Sequence, residues 1–166
     1  MISVEHARLM ARYNQWQNGS LYAAAETVSD AERRKERGAF FGSIHGTLSH
    51  LLWGDRMWMS RFTGSEVREA SIKESAALFK DWAELKQKRI AFDQGLVDWT
   101  NKLDPAWLYG NLTWFSGATK SERVKPQWFL LTHFFNHQTH HRGQVHAMLT
   151  AAGAKPDDTD LMLMKM

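Results

Sequence analysis

Residues 127–152 read QWFLLTHFFNHQTHHRGQVHAMLTAA. Pro126 precedes this stretch and Gly153 follows it, and these residue types commonly stand at the start of a helix and just beyond its end. At about 100° per residue, Leu130 and Met148 fall on one face together with a group of histidines between them. The stretch is therefore predicted to be a long amphipathic helix, from Gln127 to Ala152, whose apolar face turns toward a protein core.

The chain before Pro105 contains no proline, so no strong helix breaker interrupts its first hundred residues. Apolar side chains recur there at the three- and four-residue spacing of a helix. The pattern predicts three more helices: Val4 to Val28 with Ser3 as N-cap, Phe41 to Phe62 with Gly64 as C-terminal stop, and Ile72 to Trp99. With the last helix, these predict an all-α four-helix bundle.

The segment between Pro105 and Pro126 breaks this pattern. Gly110 and Gly117 interrupt an aromatic stretch in which the helical period disappears. We expect a short irregular or hairpin excursion before the last helix.

The composition limits the class of protein. A length of 166 residues with 43% apolar and 23% charged residues is typical of one globular domain, residues 1–166. Cysteine is absent, which excludes disulfides, thiolate metal sites and a cysteine nucleophile. The longest apolar run, 21–25, is far too short to span a membrane, and residues 1–20 lack the apolar segment of a signal peptide. We therefore expect a cytoplasmic protein with no membrane partner.

The net charge of +3 is spread along the chain. The densest basic stretch, 33–37, is short and contains Glu36. Nucleic-acid binding needs a sustained row of cations facing phosphates. We predict no nucleic-acid partner.

The last predicted helix is unusually rich in histidine. An even spread of the eight histidines would place fewer than one in a window of nine residues, yet residues 133–141 contain four. His133, His137, His140, His141 and Gln144 fall on one helix face that is apolar at both ends, which predicts that these side chains lie inside the bundle. Buried neutral imidazoles leave unpaired nitrogens unless an ion accepts their lone pairs.

Two histidines four residues apart project side by side from a helix and can bind one metal ion. His137 and His141 are the pair we select, and His146 points away from them. A third ligand must come from another helix, and the second predicted helix offers His45 and His50. Periodicity does not decide between them, but the small side chains beside His50 leave more space for an ion.

Other polar residues near the predicted ligands are expected to support them without binding the ion. His133 and Gln144 lie one turn beyond the ligands and could hydrogen bond a ligand ring or a bound group. His140 shares their face. Asp55 lies in an apolar stripe and needs a partner such as Arg142, Arg56 or an indole N–H, most simply as a structural ion pair; His6 is expected to be an exposed residue near a helix terminus.

Three segments resemble one known family. The run 133–144, HFFNHQTHHRGQ, resembles the last-helix motif of the DinB superfamily, in which Asn-His-x-x-His-His-Arg-Gly-Gln stands on the final bundle helix. Residues 43–58, SIHGTLSHLLWGDRMW, resemble its second helix, and 13–18, YNQWQN, its first. The resemblance extends from residue 1 to about 155. Ser49 departs from the family, whose members often have Asn there.

The resemblance implies a four-helix bundle with a long crossover, usually a homodimer. It also implies a metal ion held by three histidines, which here are His50, His137 and His141. Such a site leaves a divalent ion its full charge and an open position, as in catalytic zinc sites. Zinc is our first choice, although imidazole ligands also suit nickel or iron.

Three functions compete. In the first, which characterised relatives imply, the ion activates an exogenous low-molecular-weight thiol for transfer to, or isomerisation of, a small-molecule substrate. The sulfur must be exogenous because the chain has no cysteine. The second is hydrolysis by a metal-bound hydroxide. The third is a non-catalytic protein that binds metal or a small ligand.

Overall fold

The computed structural model describes residues 1–65, 71–117 and 119–165. Five α-helices and one antiparallel hairpin account for most of this chain. They are α1 (Val4–Glu26), α2 (Asp30–Arg34), α3 (Ile44–Thr63), α4 (Trp82–Asn101), β1 (Asn111–Ser116), β2 (Ser121–Pro126) and α5 (Gln127–Ala151). Short 3-10 helices lie at Ser75–Ala77, Pro105–Tyr109 and Leu161–Leu163.

The four long helices form a bundle, which confirms the predicted fold class. α1 packs on α4 and α5, whereas α3 packs on α5 and less extensively on α4. Buried side chains form one apolar cluster at each end of the bundle. The N-terminal halves of α3 and α4 meet the C-terminal halves of α1 and α5 in one of these clusters. α3 and α4 therefore run in the same direction, which requires a long crossover between them.

A layer of buried polar residues lies between the two apolar clusters. Asp55 of α3 is fully buried, and its Oδ2 accepts a hydrogen bond from Arg89 Nη1 of α4 at 2.6 Å. Arg89 Nη2 also donates to Asp93 Oδ1 at 2.8 Å. Asn18 of α1 donates to both oxygens of Asp93, at 3.0 and 3.1 Å. These contacts connect α1, α3 and α4 through one buried arginine.

The same layer extends to α5. Asn14 of α1 donates to Gln138 Oε1 and accepts from Arg142 Nη1. All three side chains are buried. Burying these groups is costly unless they are hydrogen bonded, so the layer fixes the register of α1 against α5 as well.

Helix caps explain where the observed boundaries depart from the predicted ones. α1 begins after Ser3 as predicted, and Ser3 Oγ accepts from His6 N–H. It ends at Glu26 rather than Val28, since Ser29 caps a short helix that the sequence analysis missed. α3 begins at Ile44 rather than Phe41, because Ser43 Oγ accepts from Gly46 N–H at 3.0 Å.

The largest correction concerns the third helix. It was predicted from Ile72 to Trp99, whereas α4 spans Trp82–Asn101. Asp81 Oδ1 accepts from Glu84 N–H at 2.7 Å and so caps α4 ten residues later than predicted. The sequence before it contains the 3-10 helix Ser75–Ala77, which packs against α3.

The predicted excursion before the last helix contains a hairpin. β1 and β2 pair in antiparallel register, with Trp114 opposite Arg123. Trp114 packs edge-on against Trp58 of α3, with ring centroids 5.7 Å apart. α5 starts at Gln127 as predicted and ends one residue before the predicted Ala152.

Within the described residues, no helix combines the length and the apolar composition needed to cross a membrane.

We expect Arg89→Met to destabilise the protein by about 3–5 kcal/mol, because it leaves Asp55 and Asp93 buried without their cation. Urea unfolding followed by circular dichroism measures this loss. Lys88→Met is the matched control, since Lys88 forms an exposed pair with Glu84 at 3.5 Å and a distant contact with the Phe79 ring, 6.0 Å from its centroid. It should change stability by less than about 1 kcal/mol. Equal unfolding midpoints for the two variants would contradict the structural role of Arg89.

Candidate metal centre

Three histidines from two helices converge beside the polar layer. His50 comes from α3, and His137 and His141 come from successive turns of α5. One ring nitrogen from each lies within 4.8 Å of the other two. Nε2 of His137 and Nε2 of His141 are 3.2 Å apart. Two nitrogens bound to one tetrahedral zinc ion at its usual bond length lie about 3.3 Å apart, so this pair has the spacing of two ligands.

Neighbouring side chains fix the tautomers of two of these rings. Ser75 Oγ donates its hydrogen to the carbonyl of Ile72 at 2.7 Å. Its oxygen therefore accepts from Nδ1–H of His50, 2.8 Å away. Gln144 Oε1 likewise accepts from Nδ1–H of His141 at 2.8 Å. In both rings Nδ1 carries the hydrogen, which leaves the Nε2 lone pair available to a metal ion.

The surroundings also keep the three rings neutral. Burial, followed by the neighbouring His141, lowers the pKa of His50 to about 3. Burial and the same neighbour lower the pKa of His137 to about 3. The pKa of His141 is lowered as well, mainly by burial. Neutral imidazoles with free lone pairs are the form that binds divalent cations.

A glycine makes room for one of the candidate ligands. A Cβ atom at Gly54 would lie 3.2 Å from Cε1 of His137, closer than carbon atoms normally pack. The absence of a side chain on this turn of α3 therefore lets the His137 ring approach α3, where His50 stands.

Phe41 forms an aromatic wall of the site. Its ring lies nearly parallel to the His50 ring, with an interplanar angle of 17° and centroids 3.5 Å apart. The same ring meets His141 at an angle, with centroids 5.4 Å apart. Phe41 belongs to the segment just before α3, so this segment covers one side of the three histidines.

The donor set fits a divalent metal ion with an open coordination position. Among the described residues, the ligand cluster contains three imidazoles and no carboxylate. Structural zinc sites are usually closed by four protein ligands, whereas catalytic sites keep three and leave a fourth position open. His50, His137 and His141 would hold the ion through Nε2, with Ser75 and Gln144 orienting two of the rings.

The structure brings His50, and not His45, to the pair on α5. His45 Nε2 donates to the carbonyl of Phe79 at 2.6 Å instead. His6 is exposed, as expected, and its ring contacts Phe135 edge-on.

The exposure of two other histidines on α5 differs from the prediction. The sequence predicted that the whole histidine face lies inside the bundle, but His133 and His140 are exposed. Their rings still neighbour the site, with the His133 centroid 5.9 Å from that of His137 and the His140 centroid 4.9 Å from that of His141. α5 presents this face at the margin of its contact with α3, so the rings at the edge of the arc reach solvent.

Asp55 lies outside the histidine cluster. It forms a buried ion pair, as expected, but its partner is Arg89 rather than Arg142 or Arg56. Its place in the polar layer gives it a structural role. Gln144 holds His141 as the sequence analysis allowed.

Ser75 and Phe41 were not predicted to lie at the site. Both were assigned to helices that begin later than predicted, so their side chains could not be placed. The capping pattern of Asp81 and Glu84, which matches a known helix-start motif, would have moved Ser75 out of α4. Ser43 after Gly42 would likewise have marked the true start of α3.

Comparison with known proteins agrees with this architecture. The family model described as "DinB family" matches residues 3–166. The chain belongs to the DinB family. Protein DinB of Bacillus subtilis (strain 168) is 28% identical over 159 residues, a region that covers 89% of this chain and 87% of that protein.

Two solved structures share the fold. A DinB-like protein from Bacillus cereus ATCC 10987 superposes with a TM-score of 0.64 at 16% identity, over 86% of this chain and 90% of the other. YfiT from Bacillus subtilis gives a TM-score of 0.69 at 15% identity, over 93% of this chain and 92% of the other. YfiT is described as "a probable metal-dependent hydrolase with an unusual four-helix bundle topology".

We predict that purified wild-type protein loaded with zinc retains one ion per chain after dialysis. His50→Ala, His137→Ala and His141→Ala should each lose stoichiometric metal, because each removes one of only three ligands. Elemental analysis measures the content. His146→Ala is the control and should retain the ion; equal metal content in all five proteins would refute the ligand assignment.

We predict that Ser75→Ala weakens metal affinity about tenfold to a hundredfold, because Nδ1–H of His50 loses the acceptor that orients the ring. Competition with a chromophoric chelator measures the affinity. Ser60→Ala is the matched control, since Ser60 Oγ donates to a carbonyl of its own helix. An affinity of Ser75→Ala within twofold of this control would show that the hydrogen bond does not support the site.

Proposed function

We propose that this DinB family protein is a metal-dependent enzyme that activates an exogenous low-molecular-weight thiol for attack on a small electrophilic substrate. The observation that carries the proposal is the convergence of three neutral imidazoles, with no carboxylate in the cluster among the described residues. When bound, a divalent ion would act as a Lewis acid that lowers the pKa of a coordinated thiol or water.

A thiol nucleophile agrees with the residues of this chain. Cysteine is absent, so a sulfur nucleophile has to come from solution. The wall formed by Phe41 is apolar and offers no hydrogen-bond acceptor to orient water. Asp55, the buried carboxylate of α3, is paired with Arg89 and is not free to act as a general base. A thiol needs such a base less than water does, because it is the stronger acid.

The residues around the ligands have separate roles in this proposal. Ser75 and Gln144 hold His50 and His141 in the tautomers that direct Nε2 at the ion. Phe41 excludes water from one side of the site. His133 and His140 line the solvent-exposed edge of the site, beside His137 and His141 respectively. Zinc is the metal we favour, with nickel or iron as alternatives that imidazole ligands also accept.

Hydrolysis is the second candidate. YfiT, which shares the fold, is described as "a probable metal-dependent hydrolase", and the same three imidazoles could serve a water nucleophile. The two candidates differ in whether an added thiol is required.

The test is to incubate metal-loaded protein with 1-chloro-2,4-dinitrobenzene, with and without glutathione or bacillithiol. In the expected reaction a sulfur–carbon bond forms, the carbon–chlorine bond breaks, chloride leaves and the thiol proton passes to the buffer. We expect a rate above the uncatalysed reaction only when metal and thiol are both present, and none above that background with His137→Ala.

A hydrolysable ester, p-nitrophenyl acetate, separates the two candidates. Ester cleavage without thiol, together with no thiol-dependent reaction, would support hydrolysis instead. If no tested metal supports either reaction, the protein binds metal without catalysing these reactions and the proposal is wrong.

A further inference from the structure

The stripe of α3 that carries His50 also carries an arginine. At about 100° per residue, Gly54 lies about 40° and Arg61 about 20° around the helix axis from His50. The His137 ring packs against Gly54, so this stripe faces the site. Arg61 therefore stands on the face of α3 that turns toward the three histidines, about two turns beyond Gly54.

The side chain of Arg61 points back toward the histidines. Long side chains on a helix lean toward its N-terminus. Accordingly, Nη2 of Arg61 donates to Sδ of Met57 at 3.5 Å. Met57 follows Gly54 by three residues, a rise of about 4.5 Å along the helix axis. The guanidinium group thus lies about one turn from the glycine against which His137 packs.

A row of ring contacts connects this guanidinium group to the candidate ligands. Cζ of Arg61 lies 4.7 Å from the centroid of the Trp58 ring. The Trp58 centroid is 5.2 Å from that of His133, which is 5.9 Å from that of His137. His133 is exposed, so the row follows the solvent-accessible edge of the site. A molecule held at the open coordination position can reach Arg61 along this edge without entering the core.

Arg61 is a cation without a carboxylate partner among the described residues. Its Cζ lies over Trp58 and 5.9 Å from the ring centroid of Trp114 on β1. The contact with the Met57 sulfur is its one hydrogen bond within the same residues. Burial lowers the pKa of Arg61, and no described acidic group opposes this effect. A guanidinium group has five N–H donors, so most of them remain available to an anion.

The neighbouring charges do not supply that anion within the described chain. Arg123 of β2 pairs directly with Trp114, so its side chain projects from the same face of the hairpin. Glu122 is the next residue on β2, and its side chain projects from the opposite face. Asp55, the acidic residue of α3, is buried in the polar layer. The surroundings of Arg61 are therefore cationic.

We infer that Arg61 binds a carboxylate at the far end of the thiol whose sulfur takes the open coordination position. The inference rests on the proposed function and names the class of thiol, one in which a chain of several atoms separates the sulfur from a carboxylate. The apolar part of that chain packs along Met57 and Trp58. Arg61 is thus a substrate-binding residue that selects the thiol, and no bond forms or breaks at its side chain.

Two thiols that differ only in their terminal group test this selection. They are 6-mercaptohexanoate, which carries a carboxylate, and 6-mercaptohexan-1-ol, which is neutral. Protein loaded with cobalt(II) in place of zinc reports their binding through the thiolate-to-cobalt charge-transfer band, so a titration gives each dissociation constant without catalysis. We expect wild type to bind the carboxylate about fivefold more tightly, because only the carboxylate pairs with a partly exposed cation.

Variants assign this preference to one side chain. Arg61→Gln should bind the two thiols with affinities within about twofold of each other, and its affinity for the alcohol should equal that of wild type. Arg61→Lys keeps the charge and should retain part of the preference for the carboxylate. Arg12→Gln, at an exposed position of α1, is the matched control and should keep the full preference.

The pattern of affinities distinguishes the ways in which the inference can fail. Equal affinities of wild type for the two thiols would overturn it, as would a preference for the carboxylate that persists in Arg61→Gln. If Arg61→Gln weakened the binding of both thiols by the same factor, Arg61 would have a structural role instead. A cobalt-loaded wild type that gives no charge-transfer band with either thiol would contradict the proposed function and this inference together.

Discussion

The buried ion pair between Asp55 and Arg89 is the constraint on which the rest of this structure depends. Helices that meet only through apolar side chains can shift along one another more easily, because the hydrophobic effect has no direction. A buried carboxylate and a buried guanidinium cannot, since either one alone in the core would be strongly destabilising. The pair therefore fixes the height of α3 against α4, and the hydrogen bonds of Asn14 and Asn18 extend the same register to α1 and α5.

The candidate metal centre takes its geometry from this register. His50 lies five residues before Asp55 on α3. His137 and His141 are next in sequence to Gln138 and Arg142, the members of the polar layer on α5. A shift of one helical turn between α3 and α5 would move the ligand rings about 5.4 Å apart along the bundle. The polar layer thus holds in place two separate helices that each contribute to a site neither could form alone. Ser75 and Gln144 then set the direction of the individual rings.

Much of the fold and the histidine set could be predicted from sequence, because both arise from periodic patterns. The face of α5 that carries His137 and His141 follows from 3.6 residues per turn, and the hairpin follows from the loss of that period after Pro105. The start of α4 could not be found from apolar spacing, since Leu78 continues the pattern outside the helix. The cap at Asp81 decides that boundary.

Periodic sequence patterns do not predict contacts between segments that are distant in sequence. Nothing in the sequence around Asp55 indicates that its partner is Arg89, 34 residues later. The position of Phe41 over His50 depends on the loop before α3 and on the space left by Gly46. Exposure of His133 and His140 depends on how far α3 covers α5, which helical periodicity does not specify.

X-ray absorption spectroscopy of the zinc-loaded protein tests the central claim most directly, because it reports the ligands of the ion itself. The account predicts three imidazole nitrogens at about 2.0–2.1 Å, together with at least one oxygen from solvent at a similar distance. A spectrum without the multiple scattering of imidazole rings, or one that requires carboxylate ligands in place of a histidine, would contradict it.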